Sequence, residues 1–555
     1  MPGPWSMKLY LLGYLQIAPA LASIQWSSCT SNPSLDCATL TVPLEYADPE
    51  NGALAYIPLA RYNATVPASQ RKGSLLTNPG GPGSAGTDFL LNGAGEGMAN
   101  ITGEEADTSA ALPAAAEIEY SQFRNQSYMP SYYAALKDYD NTIAELADAC
   151  ADHDSPALYT SSTAYVVRDM AAIIDALEGT DNATLNYWGF SYGTILGAEF
   201  IQTYPERVGK IIFDGVFDSA ANAQPYTSQL PYDELYVRDS INDLATSCTQ
   251  AGIEGCALNK APGNRTNPRN STTDIATRLA NLQASLYRNP IDVSDGSFSI
   301  TVGMFSFFMY SFLRLPSSWP AVALAVSALE EGNADLVASL LTDAAGPETN
   351  ASAPDTGSFA GWPIQCTDNG PSNHTKLPEV AQLVLNISLA EQTPWLNADL
   401  STLSFCRNFP DTRPRVPNLG ASKLTNGETN AILTKQNTSV LIINALHDPT
   451  TPINSAVRLH RWLPTSSQLA VRRGPGHTTI SLGSLGLVNT IREYLLDGTL
   501  PATTEVYDVS QEIFSSEIDA GTITPDPVFN GTYSDSEKML LESTYNIYLA
   551  FVRLP

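Results

Sequence analysis

The sequence predicts an α/β protein with a mostly parallel β-sheet, crossover helices and an inserted helical lid. Strand and helix patterns alternate from 162 to 215, give way to helical segments from 216 to about 400, and return to a strand at 439. Such alternation is typical of a parallel sheet, because parallel neighbours are joined by crossover connections. We therefore predict a first core part over 23–215, a helical lid over 216–400 and a second core part over 401–505.

The individual elements follow from their local patterns. Residues 38–90 contain strand-like runs separated by turn residues and end in a glycine-rich loop. The first core part continues as helix, strand, helix and strand, in the segments STAYVVRDMAAIIDALEG, LNYWGF, SYGTILGAEFIQTYP and GKIIFDGV. The second core part has the strand SVLIINALHD, a helix at about 453–463, and the strand and loop QLAVRRGPGHTT.

The two ends of the chain are predicted to lie outside this core. Residues 1–22 have one lysine, an apolar stretch and a small-x-small end at Ala20-Leu21-Ala22. This pattern indicates a secretory signal peptide cleaved before Ser23, and the alternative is a buried N-terminal helix. Residues 506–555 carry no motif and are predicted to form a peripheral extension. We expect the mature protein to be extracellular.

The cysteines and the glycosylation sequons are consistent with a secretory route. Spacing predicts short-loop disulfides between Cys29 and Cys37 and between Cys248 and Cys256. Cys366 can then pair with Cys406, which leaves Cys150 over. Candidate N-glycosylation sites are the asparagines of all Asn-x-Ser/Thr sequons, namely Asn63, Asn100, Asn125, Asn182, Asn264, Asn270, Asn350, Asn373, Asn386, Asn437 and Asn530.

Charge and composition exclude several classes of partner. The 29 basic and 57 acidic residues give a net charge of −28, which repels nucleic acid and anionic membranes. The five histidines lie far apart and no Cys-x-x-Cys occurs, so we predict no metal and no cofactor. The apolar stretch 301–329 is interrupted by Arg314, Pro316 and Pro320, which predicts buried helices rather than a membrane span. A monomer is expected, although the sequence leaves the oligomeric state open.

A Gly-x-Ser-x-Gly motif makes Ser191 the candidate nucleophile. The motif, Gly189 to Gly193, lies between a strand pattern and a helix pattern. In a nucleophile elbow the serine occupies such a strained turn, and the two glycines let the backbones pass closely. The turn also directs the N–H of Tyr192 toward a developing oxyanion.

A second oxyanion donor is expected from the loop TNPGGPGSAG, residues 77–86, which follows an earlier strand. Pro82 has no N–H, so Gly81 is the first candidate and Gly80 the second. The alternative interpretation is an ordinary Gly/Pro turn.

The candidate catalytic base and acid lie at the ends of predicted strands or just after them. His477 lies in the loop GPGHTT after a strand, and Asp448 closes the strand SVLIINALHD. A serine needs an adjacent base that is itself oriented by a carboxylate. Asp214 and Asp218, after the strand KIIFD, are rival acids. The order Ser191, Asp448, His477 is the serine, acid, histidine order of one group of hydrolases.

With these motifs, the chain resembles the secreted tripeptidyl-aminopeptidase-like branch of the α/β-hydrolases, which is related to proline iminopeptidases. The similar segments lie within about 35–90, 160–220 and 360–485 and are NPGGPGSAG, LNYWGFSYGTILGAEFIQTYPERVGKIIFDGV, WPIQCTD, LIINALHDPTTP and GPGHTT. The resemblance implies an α/β-hydrolase fold, exopeptidase action on free N-termini and a lid that restricts entry.

The chain departs from this family between 87 and 150. Relatives have a strand there that ends in a Phe-Asp-x-Arg-Gly-like turn, and no such sequence occurs in this segment. An interior strand position cannot stay empty without leaving backbone groups unpaired. AAAEIEYSQF, residues 114–123, is therefore predicted to fill it. A missing exon and the loss of catalytic competence are the alternatives.

Three functions follow from these observations. The first is a secreted serine exopeptidase acting on peptides. The second is an esterase or thioesterase-like hydrolase of a small acyl metabolite, because this fold hosts many acyl transfers. The third is a non-catalytic binding protein with a degenerate core.

An aminopeptidase must hold the α-ammonium group of its substrate, and Asp368 in QCTDNG is the candidate for this role. The alternative interpretation of Asp368 is a solvated loop aspartate beside a disulfide.

Overall fold

The structure is a computed structural model that describes most of the chain. The described residues are 24–64, 66, 67, 69, 71–102, 105–108, 129–152, 160–219, 236–261, 264–268, 272–286, 288–344, 361–369, 375–390, 399–409, 425–514 and 526–553. The predicted signal peptide with its cleavage site, and the predicted strand 114–123, lie outside these residues.

Sixteen strands occur in the described part of the chain. In chain order they are β1 Ser27–Ser28, β2 Asp36–Pro43, β3 Leu54–Tyr62, β4 Ser74–Asn78, β5 Glu105–Thr108, β6 Leu185–Phe190, β7 Val208–Asp214, β8 Lys260–Ala261, β9 Asn264–Pro268, β10 Ile291–Asp292, β11 Ser299–Ile300, β12 Val440–His447, β13 Ser467–Pro475, β14 Glu505–Tyr507, β15 Gln511–Glu512 and β16 Val528–Phe529.

Helices connect and cover these strands. The α-helices are α1 Gly86–Phe89, α2 Gly95–Thr102, α3 Met129–Asp152, α4 Thr163–Glu178, α5 Gly193–Thr203, α6 Val237–Gly255, α7 Thr272–Leu286, α8 Val302–Leu313, α9 Trp319–Glu330, α10 Asp335–Ala344, α11 Gly361–Asp368, α12 Leu377–Ala390, α13 Asp399–Asn408, α14 Asn426–Gln436, α15 Ile453–Trp462, α16 Leu485–Asp497 and α17 Asp535–Val552. A π-helical turn, Leu90–Ala94, joins α1 to α2, and short 3-10 turns lie at Pro49–Asn51, Pro205–Arg207, Ala257–Asn259, Pro316–Ser318 and Thr479–Ser481.

One ten-stranded sheet forms the centre, in the order β1-β2-β3-β5-β4-β6-β7-β12-β13-β14. The pairs from β5 through β14 are parallel, and the pairs among β1, β2, β3 and β5 are antiparallel. The predicted mostly parallel sheet is therefore confirmed. Its central strands are buried on both faces, which explains apolar runs such as VLIINAL rather than an alternating pattern.

A different segment from the one predicted fills the interior position between β3 and β4. Strand β5, Glu105–Thr108, pairs antiparallel with β3 and parallel with β4. The assignment of residues 114–123 to this position was wrong, because Glu105–Thr108 already pairs with both neighbours. The short strand EADT has little intrinsic β-propensity, so its pairing with two existing strands determines its conformation. β5 thereby pairs with residues 60–62 of β3 and 74–77 of β4.

Two apolar clusters cover the two faces of the sheet. On one face, α4, α5 and α15 pack over the strands with buried residues such as Ile173, Leu196 and Ala456. On the other face, α2, α16 and α17 contribute buried residues such as Met98 and Ile491.

The C-terminal segment belongs to this second cluster. The prediction that residues 506–555 form a peripheral extension was wrong, because α17 buries Leu540, Ile547 and Tyr548 in this cluster. A Cβ atom on Gly97 of α2 would lie 2.7 Å from Cγ1 of Ile547, so a glycine is needed where the two helices meet. Strand β14 also extends the main sheet at its edge.

The helical region predicted as a lid divides into two groups. Helices α6 to α10 share one apolar cluster that includes Leu244, Phe308 and Val326. Helices α11 and α13 instead pack with α3 around Ile143, Trp362 and Phe405.

The apolar stretch 301–329 forms buried helices, as predicted. Within the described residues no single helix is long and apolar enough to cross a membrane, although the bent pair Val302–Leu313 and Pro316–Glu330 reaches that length and composition together. Both members of the pair lie inside the α6–α10 cluster.

The three predicted disulfides are present in the structure. They join Cys29 to Cys37, Cys248 to Cys256 and Cys366 to Cys406. The third bond links α11 to α13, so it cross-links the smaller helical group that packs on α3.

Candidate active site

Ser191 occupies a tight turn between strand β6 and helix α5. Its φ is +53°, a left-handed conformation that is strained for a residue other than glycine. The flanking glycines explain how the turn fits. A Cβ on Gly189 would lie 2.6 Å from the carbonyl oxygen of Gly193, and one on Gly193 would lie 2.6 Å from the carbonyl oxygen of Asn78. The strand, turn and helix predicted around this motif are confirmed.

The glycine-rich loop 77–86 lies directly against this turn. A Cβ on Gly80 would meet Cβ of Ser191 at 2.7 Å and the amide nitrogen of Tyr192 at 3.0 Å. The N–H of Gly80 donates to Oδ1 of Asn78 at 2.9 Å, whereas the N–H of Gly81 has no acceptor among the described residues. This arrangement favours Gly81 over Gly80 as the second donor beside Tyr192.

His477 and Asp448 meet at the carboxyl ends of the neighbouring strands β12 and β13. Nδ1 of His477 lies 3.1 Å from both carboxylate oxygens of Asp448. The aspartate is fully buried, and the histidine is 5% exposed. With Nδ1–H donated to the carboxylate, Nε2 is left as the basic nitrogen. The structure therefore brings two residues together that lie 29 positions apart in the sequence.

Backbone and hydroxyl donors surround the Asp448 carboxylate. The N–H groups of Thr450, Thr451 and Thr478 donate to it at 2.8 Å each, and Oγ1 of Thr451 donates at 2.7 Å. Burial by itself would raise the pKa of Asp448. The nearby His477 ring and these hydrogen bonds outweigh burial and hold that pKa below its usual value. Asp448 is thus ionised at neutral pH, as an orienting acid must be.

The rival acids have other partners. Asp214 accepts hydrogen bonds from the N–H and Oγ1 of Thr479, at 2.6 and 2.7 Å. Burial raises the pKa of Asp214 to about 7. Asp218 forms an ion pair with Arg458. Neither arrangement includes His477, so the contacts favour Asp448 as the acid.

Asp214 connects the serine turn to the histidine loop. Its carbonyl oxygen accepts from the N–H of Ser191 at 3.0 Å, while its carboxylate binds Thr479, two residues after His477. No hydrogen bond joins Oγ of Ser191 to His477 in the described part of the chain. Hydrogen bonds of this kind are often long until substrate binds.

Arg472 is a buried arginine whose contacts the sequence did not reveal. This fully buried guanidinium, in β13, donates to the carbonyl oxygens of Thr479, Arg473, Pro475 and Thr478 and to Oγ of Ser481. It therefore holds the loop that carries His477. The only signal in the sequence was an arginine at the end of an apolar strand, a position where an exposed side chain is more common.

Asp368 lies behind the serine turn rather than on a solvated loop. At 3% exposure, its carboxylate accepts from the N–H and Oγ1 of Thr163 at 2.8 and 2.6 Å and from the hydroxyl of Tyr192 at 3.2 Å. Burial raises the pKa of Asp368 to about 6. The alternative of a solvated aspartate was wrong. The side chain of the residue after Ser191 is thus anchored to α11.

The remaining histidines lie apart from this cluster or outside the described residues. His447 pairs with Asp243 of α6 at 2.6 Å, and His460 hydrogen-bonds Ser467. His153 and His374 lie outside the described residues.

Family models match the two parts of the chain that carry these residues. One, described as "alpha/beta hydrolase fold", matches residues 149–238, and another, described as "TAP-like protein", matches 417–507. The chain has the α/β-hydrolase fold. The first match contains the Ser191 turn and Asp214, and the second contains Asp448 and His477. Together with this residue set, the matches identify the α/β-hydrolase as a serine hydrolase.

Curated relatives extend over most of this α/β-hydrolase. "Serine protease Hip1" of Mycobacterium tuberculosis is 25% identical over 505 residues, which cover 86% of this chain and 89% of the relative. "Tripeptidyl aminopeptidase" of Streptomyces lividans is 25% identical over 511 residues, with coverages of 87% and 86%. "Carboxylesterase B" of Mycobacterium tuberculosis is 26% identical over 530 residues, with coverages of 88% and 90%.

Proposed function

We propose that this α/β-hydrolase is a secreted serine exopeptidase that releases short peptides or single residues from free N-termini. The observation that carries the proposal is the contact between His477 and the ionised Asp448 at the carboxyl ends of β12 and β13, beside the Ser191 turn. Relatives named serine protease and tripeptidyl aminopeptidase support a peptide as the substrate.

In the first half of the reaction, Oγ of Ser191 attacks the carbonyl carbon of the scissile peptide. Nε2 of His477 takes the proton from Oγ, and Asp448 stabilises the imidazolium that forms. The N–H groups of Gly81 and Tyr192 bind the oxyanion. When the C–N bond breaks, the same proton passes from His477 to the leaving amine, which departs as the shortened peptide.

In the second half, water replaces the leaving amine. His477 takes a proton from water, the hydroxide attacks the acyl carbon, and the bond to Oγ of Ser191 breaks as His477 returns the proton to Oγ. The released acid carries the original N-terminus. Serine and histidine are thus regenerated without any cofactor.

Contacts of the lid with the histidine loop support restricted entry. The carbonyl oxygen of Arg314, at the end of α8, accepts the N–H of His477 at 2.9 Å. A Cβ on Gly476 would lie 2.7 Å from Cγ of Pro316, so the turn after α8 rests directly on the loop. A lid placed this close to the base favours chain ends over long internal segments as substrates.

Asp368 remains the candidate for the substrate α-ammonium group. Its support is a carboxylate that reaches the hydroxyl of Tyr192, the residue after the nucleophile. The same carboxylate also binds Thr163, so Asp368→Asn distinguishes binding of the substrate ammonium from a purely internal role.

Extracellular location is part of the proposal. Its support is the pattern of residues 1–22 and the three disulfides, since such bonds persist in oxidising compartments.

The second candidate function is an esterase, which the relative named carboxylesterase B favours. The binding-protein hypothesis depended on an empty interior strand position, and β5 fills that position.

A substrate panel tests the proposal. The secreted protein is assayed with a tripeptide p-nitroanilide, its N-acetylated form and a p-nitrophenyl ester, alongside Ser191→Ala and His477→Ala. We expect turnover of the free tripeptide, little turnover of the acetylated one, and loss of all activity in both variants. Asp368→Asn should raise KM for the free tripeptide only. Preference for the ester, with no cleavage of either peptide, would establish the second candidate.

A further inference from the structure

An aromatic side chain from the C-terminal helix α17 packs against the candidate base. The ring centroids of Phe551 and His477 lie 5.8 Å apart, with an angle of 66° between the ring planes. Such an edge-to-face arrangement is a favourable geometry for two aromatic rings. Phe551 lies near the end of α17, more than seventy positions after His477 in the sequence.

The same ring contacts the other two elements of the site. Phe551 lies 6.4 Å from Phe190, the residue before Ser191, and 6.4 Å from Phe89, just after the glycine-rich loop. The angles between ring planes are 63° and 82°. Phe89 and Phe190 are fully buried and also contact each other at 5.7 Å. One ring, that of Phe551, therefore contacts the histidine loop, the residue before Ser191 and helix α1, which follows the glycine-rich loop.

Helix α17 is held firmly enough to fix this ring. Ile547 packs against Gly97 of α2, and the hydroxyl of Tyr548 accepts a hydrogen bond from Oγ of Ser317 at 2.6 Å. Ser317 lies in the turn Pro316–Ser318, which also rests on Gly476 of the histidine loop. The lid turn, the histidine loop and α17 thus meet at one junction.

The imidazole needs such a support. The Asp448 carboxylate contacts the His477 ring only at Nδ1. A hydrogen bond at one ring nitrogen leaves the ring free to tilt about that contact. Nε2 must nevertheless point at Oγ of Ser191 when substrate is bound. A perpendicular ring packed against the imidazole restricts this tilt, because close-packed aromatic rings resist rearrangement.

We propose that Phe551 is a positioning residue that fixes the plane of the His477 ring for proton transfer. The proposal rests on the proposed Ser191, His477 and Asp448 chemistry. It predicts an effect on the chemical step rather than on substrate binding, since Phe551 acts through His477. It also assigns a catalytic contribution to the C-terminal helix, for which the sequence carried no signal.

The test compares Phe551→Ala with variants that separate positioning from stability. Phe551→Tyr keeps the aromatic ring. Leu540→Ala removes apolar bulk from the same helix at a site 7% exposed, away from the three aromatic contacts. Each variant is measured for kcat, KM, Tm and the rate of labelling of Ser191 by a fluorophosphonate, beside wild type and Ser191→Ala.

We expect Phe551→Ala to lower kcat and the labelling rate by on the order of 10- to 100-fold with KM nearly unchanged, as small misplacements of catalytic groups do. Phe551→Tyr should restore most of both rates, and Leu540→Ala should lower Tm while keeping kcat.

Equal kcat losses in Phe551→Ala and Leu540→Ala, or an unchanged kcat in Phe551→Ala, would overturn the proposal. If Phe551→Ala does not fold, Phe551→Leu takes its place under the same criteria. Activity that survives in Ser191→Ala would instead refute the proposed function itself.

Discussion

Nδ1 of His477 lies 3.1 Å from each carboxylate oxygen of Asp448, and every other polar contact that this carboxylate makes with the described residues comes from a threonine. Three N–H groups and one hydroxyl satisfy the acid inside the protein, so its charge is preserved despite complete burial. This arrangement distinguishes Asp448 from Asp214, whose carboxylate accepts hydrogen bonds from Thr479 alone among the described residues.

Asp448→Asn should therefore lower kcat by on the order of 10⁴-fold, because an amide can stabilise the wrong histidine tautomer and cannot balance the imidazolium charge. Asp214→Asn should cost less than about tenfold, since burial already raises the pKa of Asp214 to about 7 and its charge faces no histidine. Steady-state kinetics on the best substrate measure both. A mild effect at Asp448 with a severe one at Asp214 would transfer the role of the acid.

Arg472→Lys should destabilise the protein and impair catalysis together. The buried guanidinium supplies donors to five acceptors in the histidine loop, and the three donors of an ammonium cannot reach them all. Each buried acceptor left unpaired costs roughly 1–3 kcal/mol, so a loss of about 2–4 kcal/mol in unfolding free energy is expected. Urea denaturation and kcat are the measurements.

The neighbouring Arg473 provides the matched control for this variant. Its side chain is 60% exposed and pairs with an exposed Asp508 at 2.8 Å. Exposed pairs contribute little to stability, so Arg473→Lys should shift the unfolding free energy by less than about 0.5 kcal/mol. Equal effects of the two substitutions would show that Arg472 does not hold the loop.

The sequence predicted the Ser191 turn and the strand and helix on either side of it because these features are local. A glycine pair around a serine, and an apolar run that ends in Asp448, are visible within about ten residues. Strand β5 was missed because EADT has no β-favouring pattern, and tertiary pairing overrides weak propensity. Likewise, nothing local in α17 shows that Phe551 reaches His477, since that contact depends on how α2 and α17 pack.

The structure separates three of the predicted glycosylation sites into two groups. Asn182 and Asn437 are exposed, each in a left-handed turn conformation, and no hydrogen bond of their side chains occurs in the described part of the chain. The side-chain Nδ2 of Asn63 instead donates to Asp36 at 2.8 Å, and Asp36 also pairs with Arg61. The glycan attaches to Nδ2, so a side chain that uses this atom internally is a poor acceptor.

We therefore expect glycans on Asn182 and Asn437 and none on Asn63 in protein secreted by a glycosylating host. Peptide mapping after enzymatic removal of N-glycans identifies the occupied sites. A glycan on Asn63 with none on Asn437 would contradict this assignment. Asn125, Asn270, Asn350 and Asn373 lie outside the described residues, and the side chains of Asn264 and Asn386 are not described.

Glu199 should make the stability of the protein depend on pH. This glutamate on α5 is 1% exposed, and its Oε2 has no hydrogen-bond partner among the described residues. Burial and then the charge of Asp368 raise the pKa of Glu199 to about 8, with Arg168 opposing them. At neutral pH the carboxyl group is therefore protonated in the folded protein, whereas in the unfolded chain it is ionised above its usual pKa of about 4.3.

Unfolding in this window releases a proton, so the free energy of unfolding falls as pH rises from about 4.5 to 8, by up to about 1.4 kcal/mol per pH unit. Asp368, whose pKa burial raises to about 6, adds to the fall in the same direction over the lower part of the window.

Glu199→Gln keeps the shape of the side chain and removes its titration. The variant should match wild type near pH 4.5, exceed it in unfolding free energy at pH 8, and show a shallower slope in urea denaturation between these values. The exposed Glu542→Gln is the control and should leave the wild-type slope intact. A slope in Glu199→Gln as steep as that of wild type would mean that Glu199 is already ionised in the folded protein.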